Sequence, residues 1–171
     1  MSETIVITQG QHAVSAEPDT VISTVLGSCV ACCLWDHVSQ LGGMNHMLLA
    51  QRQHNNLPCD MAGVNAMELL INELLKLGAR RDRLQAKVFG GARMVDGLSE
   101  IGAKNISFTL GFLERENVTC TAKSVGGTAA RQVMLWPVSG LVRQKMTRSA
   151  PLRETVTPPA NTIEGNGLEL L

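Results

Sequence analysis

Three of the chain's five cysteines fall within five positions, in the stretch VLGSCVACCLWD, residues 25–36. A thiol can form a disulfide, bind a metal, cycle through a redox pair, fill a core or attack a carbonyl carbon. Spacing helps to discriminate among these. Zinc wants four ligands, typically as two short-spaced pairs. Cys29 and Cys32 make one such pair, with Cys33 and His37 near by, but Cys59 and Cys120 stand alone. On a strand, alternation sends Cys29 and Cys33 to one face and Cys32 to the other, so one ion would need the strand broken. No metal and no cofactor are therefore expected. A thioredoxin-like dithiol opens a helix, whose dipole lowers the thiol pKa, whereas Cys33-Leu34-Trp35 continues as strand. Cys32 and Cys33 read as small core residues, cysteine being among the most buried residue types.

Cys29 differs in what precedes it. Gly27-Ser28 breaks the apolar run and sets Cys29 at the mouth of a strand. There the backbone N–H groups of Ser28 and Cys29 can face outward and hold a developing oxyanion. A thiol of pKa ~8.5 is only a few per cent thiolate at neutral pH, so a nucleophile here needs a base or a positive charge beside it. The chain offers four histidines. His12 and His37 lie near turns and His54 in a polar loop. His46 lies in the apolar run GGMNHMLLA, predicted to pair with the strand of Cys29. A lone histidine on such a strand is more often a core residue than a base, and both readings stay open on the residues alone.

The elements that must position these groups follow from periodicity. Strands are predicted at 4–7, 12–14, 20–25, 29–35, 44–50, 86–91 and 117–127, with a turn over 37–43 and a polar loop over 51–60. From Met61 to Leu77 the period becomes helical, with Val64, Met67, Leu70, Leu74 and Leu77 on one face and Gly78 as C-cap. A second helix is predicted over 105–116, capped by Asn105, with Ile106, Leu110 and Leu113 on one face. Residues 131–146 read as a hairpin turning at Pro137-Val138-Ser139-Gly140. This gives one mixed α/β domain over 1–146. Residues 147–171 read as a flexible tail, with the terminal LELL as a free apolar end.

Composition bounds the rest. A chain of 171 residues buries roughly 70% of its unfolded surface and needs no staple. Aromatics are only 3%, with no tyrosine, so the core must be aliphatic. Net charge is zero and no basic stripe occurs, which argues against nucleic acid. No apolar run approaches the ~18 residues of a membrane span. The N-terminus lacks the pattern of a secretory signal. With an odd number of cysteines, that points to reduced thiols and a cytoplasmic protein.

The order and spacing of LGSCVACCLWD, GGMNHMLL, KVFGGA, IGAKN and SVGG resemble the CheD family. These are bacterial chemotaxis proteins that deamidate glutamine side chains of chemoreceptors. LGSCV alone is a weak signal. Followed by histidine seventeen residues after the cysteine, then by FGGA and a distal GG, it is specific, and the resemblance runs from about Gly10 to Met146. It implies a layered α/β/α sandwich with a mixed, largely antiparallel sheet. It implies Cys29 as nucleophile and His46 as base, with a third hydroxyl six residues before the cysteine. The family has threonine there and this chain has Ser23; Thr24 should face the other way on the strand. The backbone of Ser28 and Cys29 would serve as oxyanion donors. Gly27, Asn45, Phe89, Gly90 and Gly91 would border the substrate.

The pairs Gly90-Gly91 and Gly126-Gly127 read equally well as tight strand-end turns. Two departures touch the substrate groove. Ser124 stands where the family usually has an acidic residue, and Cys59-Asp60-Met61 replaces an aromatic-containing segment. The implied activity is glutamine-to-glutamate conversion through a cysteine thioester, with glutamyl methyl ester hydrolysis as a second reaction. The implied partners are the cytoplasmic domains of methyl-accepting chemoreceptors and a CheC-type phosphatase. The competing readings are an adaptor with little catalysis and a redox sensor using Cys29 and Cys32. All of this requires the Cys29 sulfur and the His46 imidazole to meet across neighbouring strands, in an accessible cleft.

Overall fold

The structure, a computed structural model, describes residues 2–49, 59–94, 99–147 and 168–170. In chain order the elements are β1 (Glu3–Val6), β2 (His12–Ser15), β3 (Thr20–Leu26), β4 (Val30–Asp36), β5 (Leu41–Asn45), α1 (Cys59–Leu77), β6 (Leu84–Gly90), α2 (Ser99–Arg115), β7 (Thr119–Val125), β8 (Ala130–Trp136), β9 (Leu141–Thr147) and β10 (Leu168–Leu170). They form two five-stranded sheets, ordered β1-β3-β8-β9-β10 and β2-β5-β4-β6-β7. The pairs β1–β3 and β6–β7 are parallel and the others antiparallel. The fold is therefore α/β with mixed, largely antiparallel sheets.

Burial explains the stacking. In β4 every residue but Trp35 is buried, so this strand needs cover on both faces. One face, carrying Cys29, Ala31 and Cys33 with Met44 and Phe89, packs on Ile22, Leu26, Val133 and Leu135 of the first sheet. The other, carrying Val30, Cys32 and Leu34, packs on Met67, Leu70, Ile71 and Leu74 of α1 and Phe112 and Leu113 of α2. Among the described residues the layers thus run helices, sheet, sheet. Cys32 and Cys33 are core residues on opposite faces. Burial, with the Cys33 and Cys120 thiols near by, pushes the Cys32 thiol well up. Burial, partly offset by Lys87, lifts Cys33 to about 12.

Helix α1 follows its sequence pattern. Met67, Leu70, Ile71 and Leu74 are fully buried, while Val64 and Leu77, predicted on the same face, are exposed. It closes at Gly78, whose φ is +113°, with the Ala79 N–H on the Leu74 carbonyl at 3.0 Å. That six-to-one bond is a glycine C-cap.

Elsewhere the boundaries move. The predicted turn over 37–43 ends early, because Gly42 and Gly43 are strand residues in close contact with neighbouring backbone. The strand expected over 44–50 leaves the β5 ladder after Asn45. Helix α2 begins at Ser99, not Asn105, so Asn105 is an interior residue and caps nothing. The predicted loop over 51–60 lies outside the described residues except where Cys59 and Asp60 open α1. Of the predicted tail, residues 147 and 168–170 are described: Thr147 ends β9, and Leu168–Leu170 pairs with β9.

One buried carboxylate joins the second sheet to the α1–β6 connection. Asp36 accepts from the N–H groups of Val38 (3.0 Å), Ser39 (3.1 Å) and Arg80 (2.9 Å). The Arg83 guanidinium meets the same carboxylate at 3.1 Å.

Candidate active site

Strand register decides whether Cys29 and His46 can meet. Cys33 pairs with Met44, and Val30 makes an isolated antiparallel bridge to Met47. The same register sets Ala31 opposite His46 and leaves Cys29 diagonal to it on the same face. Diagonal neighbours of this kind lie about 7–8 Å apart at the backbone, closer at Cβ. Cys29 belongs to the core between the two sheets, and His46 faces the same way, since its Nδ1 lies 2.7 Å from the hydroxyl of Thr24 on the first sheet. The His46 backbone is held from the other side. Its N–H donates to the Gln11 carbonyl (3.0 Å), and its carbonyl accepts from Gly10 (2.9 Å).

Thr24, not Ser23, is therefore the hydroxyl against the imidazole. Along β3, residue 24 shares its parity with the buried inward residues Ile22 and Leu26, whereas Ser23 points to the far face. There the Ser23 hydroxyl meets the Gln132 amide at 3.5 Å. The expectation that the two hydroxyls face opposite ways holds, with the inward one being Thr24. The contact also sets the tautomer. Thr24 Oγ1 donates to the Ile7 carbonyl at 2.7 Å, and a carbonyl can only accept. The single hydroxyl proton is thus committed, so Nδ1–H is the donor to Oγ1, and in the neutral ring Nε2 is the acceptor.

This geometry carries a direct prediction. Thr24→Val lowers the turnover number of the reaction proposed below by roughly 10- to 100-fold, while Ser23→Ala leaves it within about twofold. Steady-state rates of both variants check this; equal loss in the two would contradict the pairing.

The loop over 27–29 is pinned at three consecutive carbonyls. Gly27 O accepts from Ala92 N–H (2.9 Å) and Cys29 O from Gly91 N–H (2.8 Å). Ser28 O accepts from the Asn105 side-chain amide at 2.9 Å. Gly90 abuts the same loop: a Cβ there would lie 2.2 Å from the Cys29 carbonyl oxygen. Gly27, Gly90 and Gly91 therefore shape the Cys29 loop. Phe89 is fully buried in the core between the sheets. Asn45 accepts from the Cys32 N–H at 3.0 Å and donates to Met67 Sδ at 3.4 Å, which holds β4 to β5 where their ladder breaks beside His46. Gly126 donates to the Gly90 carbonyl at 2.9 Å. Its own carbonyl accepts from the buried Arg131 guanidinium, which also reaches the Ser124 carbonyl and, at 3.2 Å, its hydroxyl. Burial lowers the Arg131 pKa. Sequence patterning offered no signal for Arg131, whose burial is a fact of the structure.

Access departs from expectation. Cys29 is 0% exposed and His46 3%. A groove of about 240 Å³ lies beside His46, between residues 9–12 and the Ala62, Asn65 and Leu69 side of α1, and Cys29 is not one of its walls. Cys29 and Cys32 face opposite sides of the sheet, so one strand cannot bring both sulfurs to one ion or one disulfide. His54 lies outside the described residues.

A family profile described as CheD chemotactic sensory transduction matches residues 47–146. The chain is 45% identical over 170 residues to a probable chemoreceptor glutamine deamidase CheD of Caulobacter vibrioides (strain NA1000 / CB15N), covering 96% of this chain and 91% of that one. It belongs to the CheD family. A second CheD relative, from Agrobacterium fabrum, bears the same description and is 46% identical over 92% of this chain and 93% of its own. The crystal structure of Bacillus licheniformis hypothetical protein YfiH overlaps 66% of this chain and 49% of that one, with a TM-score of 0.44 and 12% identity. No described helix of this CheD chain is long and apolar enough to cross a membrane.

Proposed function

We propose that the chain hydrolyses the carboxamide of glutamine side chains on the cytoplasmic domains of chemoreceptors, through a thioester on Cys29. The observation that carries this reading is the Thr24–His46 contact of 2.7 Å, which leaves Nε2 as base, on the face that Cys29 shares. The CheD relatives are described as probable chemoreceptor glutamine deamidases, which supports the substrate class.

The chemistry follows from these atoms. His46 Nε2 takes the Cys29 proton and the sulfur attacks the amide carbon. The N–H groups of Ser28 and Cys29 are the candidate donors to the oxyanion. The imidazolium, still bonded to Thr24 through Nδ1, returns its proton to the amide nitrogen and ammonia leaves. Water, deprotonated by Nε2, then cleaves the thioester to glutamate and restores the thiol. A glutamyl methyl ester would react by the same steps with methanol leaving. Because both groups are buried in the resting chain, the carboxamide reaches the sulfur only after neighbouring chain shifts. A CheC-type phosphatase is the expected competitor for the receptor-binding face.

Incubation with a receptor cytoplasmic domain tests this. Peptide mapping should find a gain of about 1 Da at individual glutamines, with one ammonia released per site. No mass change on any receptor of the host would end the reading.

A further inference from the structure

Asn105 lies inside α2, 0% exposed, and its carboxamide spans the two segments that carry the proposed chemistry. Its Nδ2 donates to the Ser28 carbonyl at 2.9 Å, immediately before Cys29. Its Oδ1 accepts from the Leu49 N–H at 2.9 Å, three residues beyond His46. Each half of one planar amide thus grips a different strand end.

What lets a helix come so close is a glycine contact one turn earlier. A Cβ on Gly102 would lie 2.4 Å from the Gly91 carbonyl oxygen, and one on Gly91 would lie 2.4 Å from the Ile106 side chain. Both positions therefore exclude larger residues. With them, α2 rests on Gly91-Ala92, whose N–H groups hold Cys29 O and Gly27 O.

We propose that Asn105 is a positioning residue that sets the direction of the Cys29 N–H toward the reacting carbonyl. The peptide is planar and trans, so the N–H of Cys29 points opposite to the C=O of Ser28. Fixing one fixes the other. The Asn105 amide holds Ser28 O on the helix side and so turns the Cys29 N–H away from α2. An oxyanion donor acts through such fixed orientation, because a dipole already aimed needs no reorganisation as charge develops. The Leu49 contact keeps the histidine segment in register with that peptide. This rests on the acyl-transfer reading above.

The test uses Asn105→Ala, and Asn105→Ser in case the cavity left by alanine costs the fold. Neither side chain reaches both partners. Wild type and Cys29→Ala are run alongside, so that a failure of the deamidase reading appears first, as an inactive wild type. With an active wild type, the variants should keep native circular dichroism and a KM within about threefold, while kcat falls roughly 100-fold. Alkylation of Cys29 by iodoacetamide, which involves no oxyanion, should stay within about threefold of wild type. Turnover near wild type, a loss expressed in KM, a parallel loss of alkylation, or failure of both variants to fold would each overturn the proposal.

Discussion

Cys29→Ala is expected to remove glutamine-to-glutamate conversion, by about 10⁵-fold or more, while the chain melts within a few degrees of wild type. The side chain lost is small and sits among Ile22, Leu26 and Phe89 in the core between the sheets, where an alanine leaves little void. The loss is this large because Cys29 is the residue proposed to form the acyl intermediate. Cys33 shares the face but is raised to about 12 by burial, and it pairs with Met44, two residues before His46. Mass spectrometry of receptor peptides after exhaustive incubation gives the readout. Conversion persisting in the alanine variant would remove the nucleophile assignment and return Cys29 to the core thiols. Cys29→Ser should also be inactive, since a hydroxyl in this position is far less acidic than a thiol.

Asp36→Ala is expected to cost about 3–5 kcal/mol at neutral pH, by leaving the Arg83 guanidinium and three N–H groups without their shared acceptor. The Asp36 side chain is 0% exposed. Burial by itself would raise its pKa. The backbone N–H groups of Arg80, Ser39 and Val38, with the Arg83 guanidinium, outweigh it and hold the carboxyl at about 2. The unfolded value is ~3.9. A folded pKa below the unfolded one means that the ionised form stabilises the fold. That contribution, roughly 2 kcal/mol, is complete above pH ~5 and disappears as pH falls through about 2. Urea melts should therefore find wild type and Asp36→Asn well separated at pH 7 and converging towards pH 2. A constant gap across that range would contradict the ionised clasp.

The same contacts explain what could be read in advance. The juxtaposition of Cys29 and His46 was legible because the resemblance to the CheD family singled out the pair, and two adjoining antiparallel strands in this register suffice to set both on one face. Helix α1 was legible because Met67, Leu70 and Leu74 repeat at helical spacing. The start of α2 was not, because Asn105 reads as an N-cap and so hides the turn before it, which contains Gly102. Gly102 is required by the approach of the helix to Gly91, a fact of tertiary packing.

The third hydroxyl illustrates the boundary most clearly. Alternation along β3 dictates that Ser23 and Thr24 face opposite ways, and the sequence alone determines that much. Which one faces inward it does not determine. Val21 and Val25 on one side are as apolar as Ile22 and Leu26 on the other, so hydrophobicity does not mark the buried face. Only the packing of the second sheet against β3 chose Thr24, because the face that receives Cys29 and His46 is the inner one.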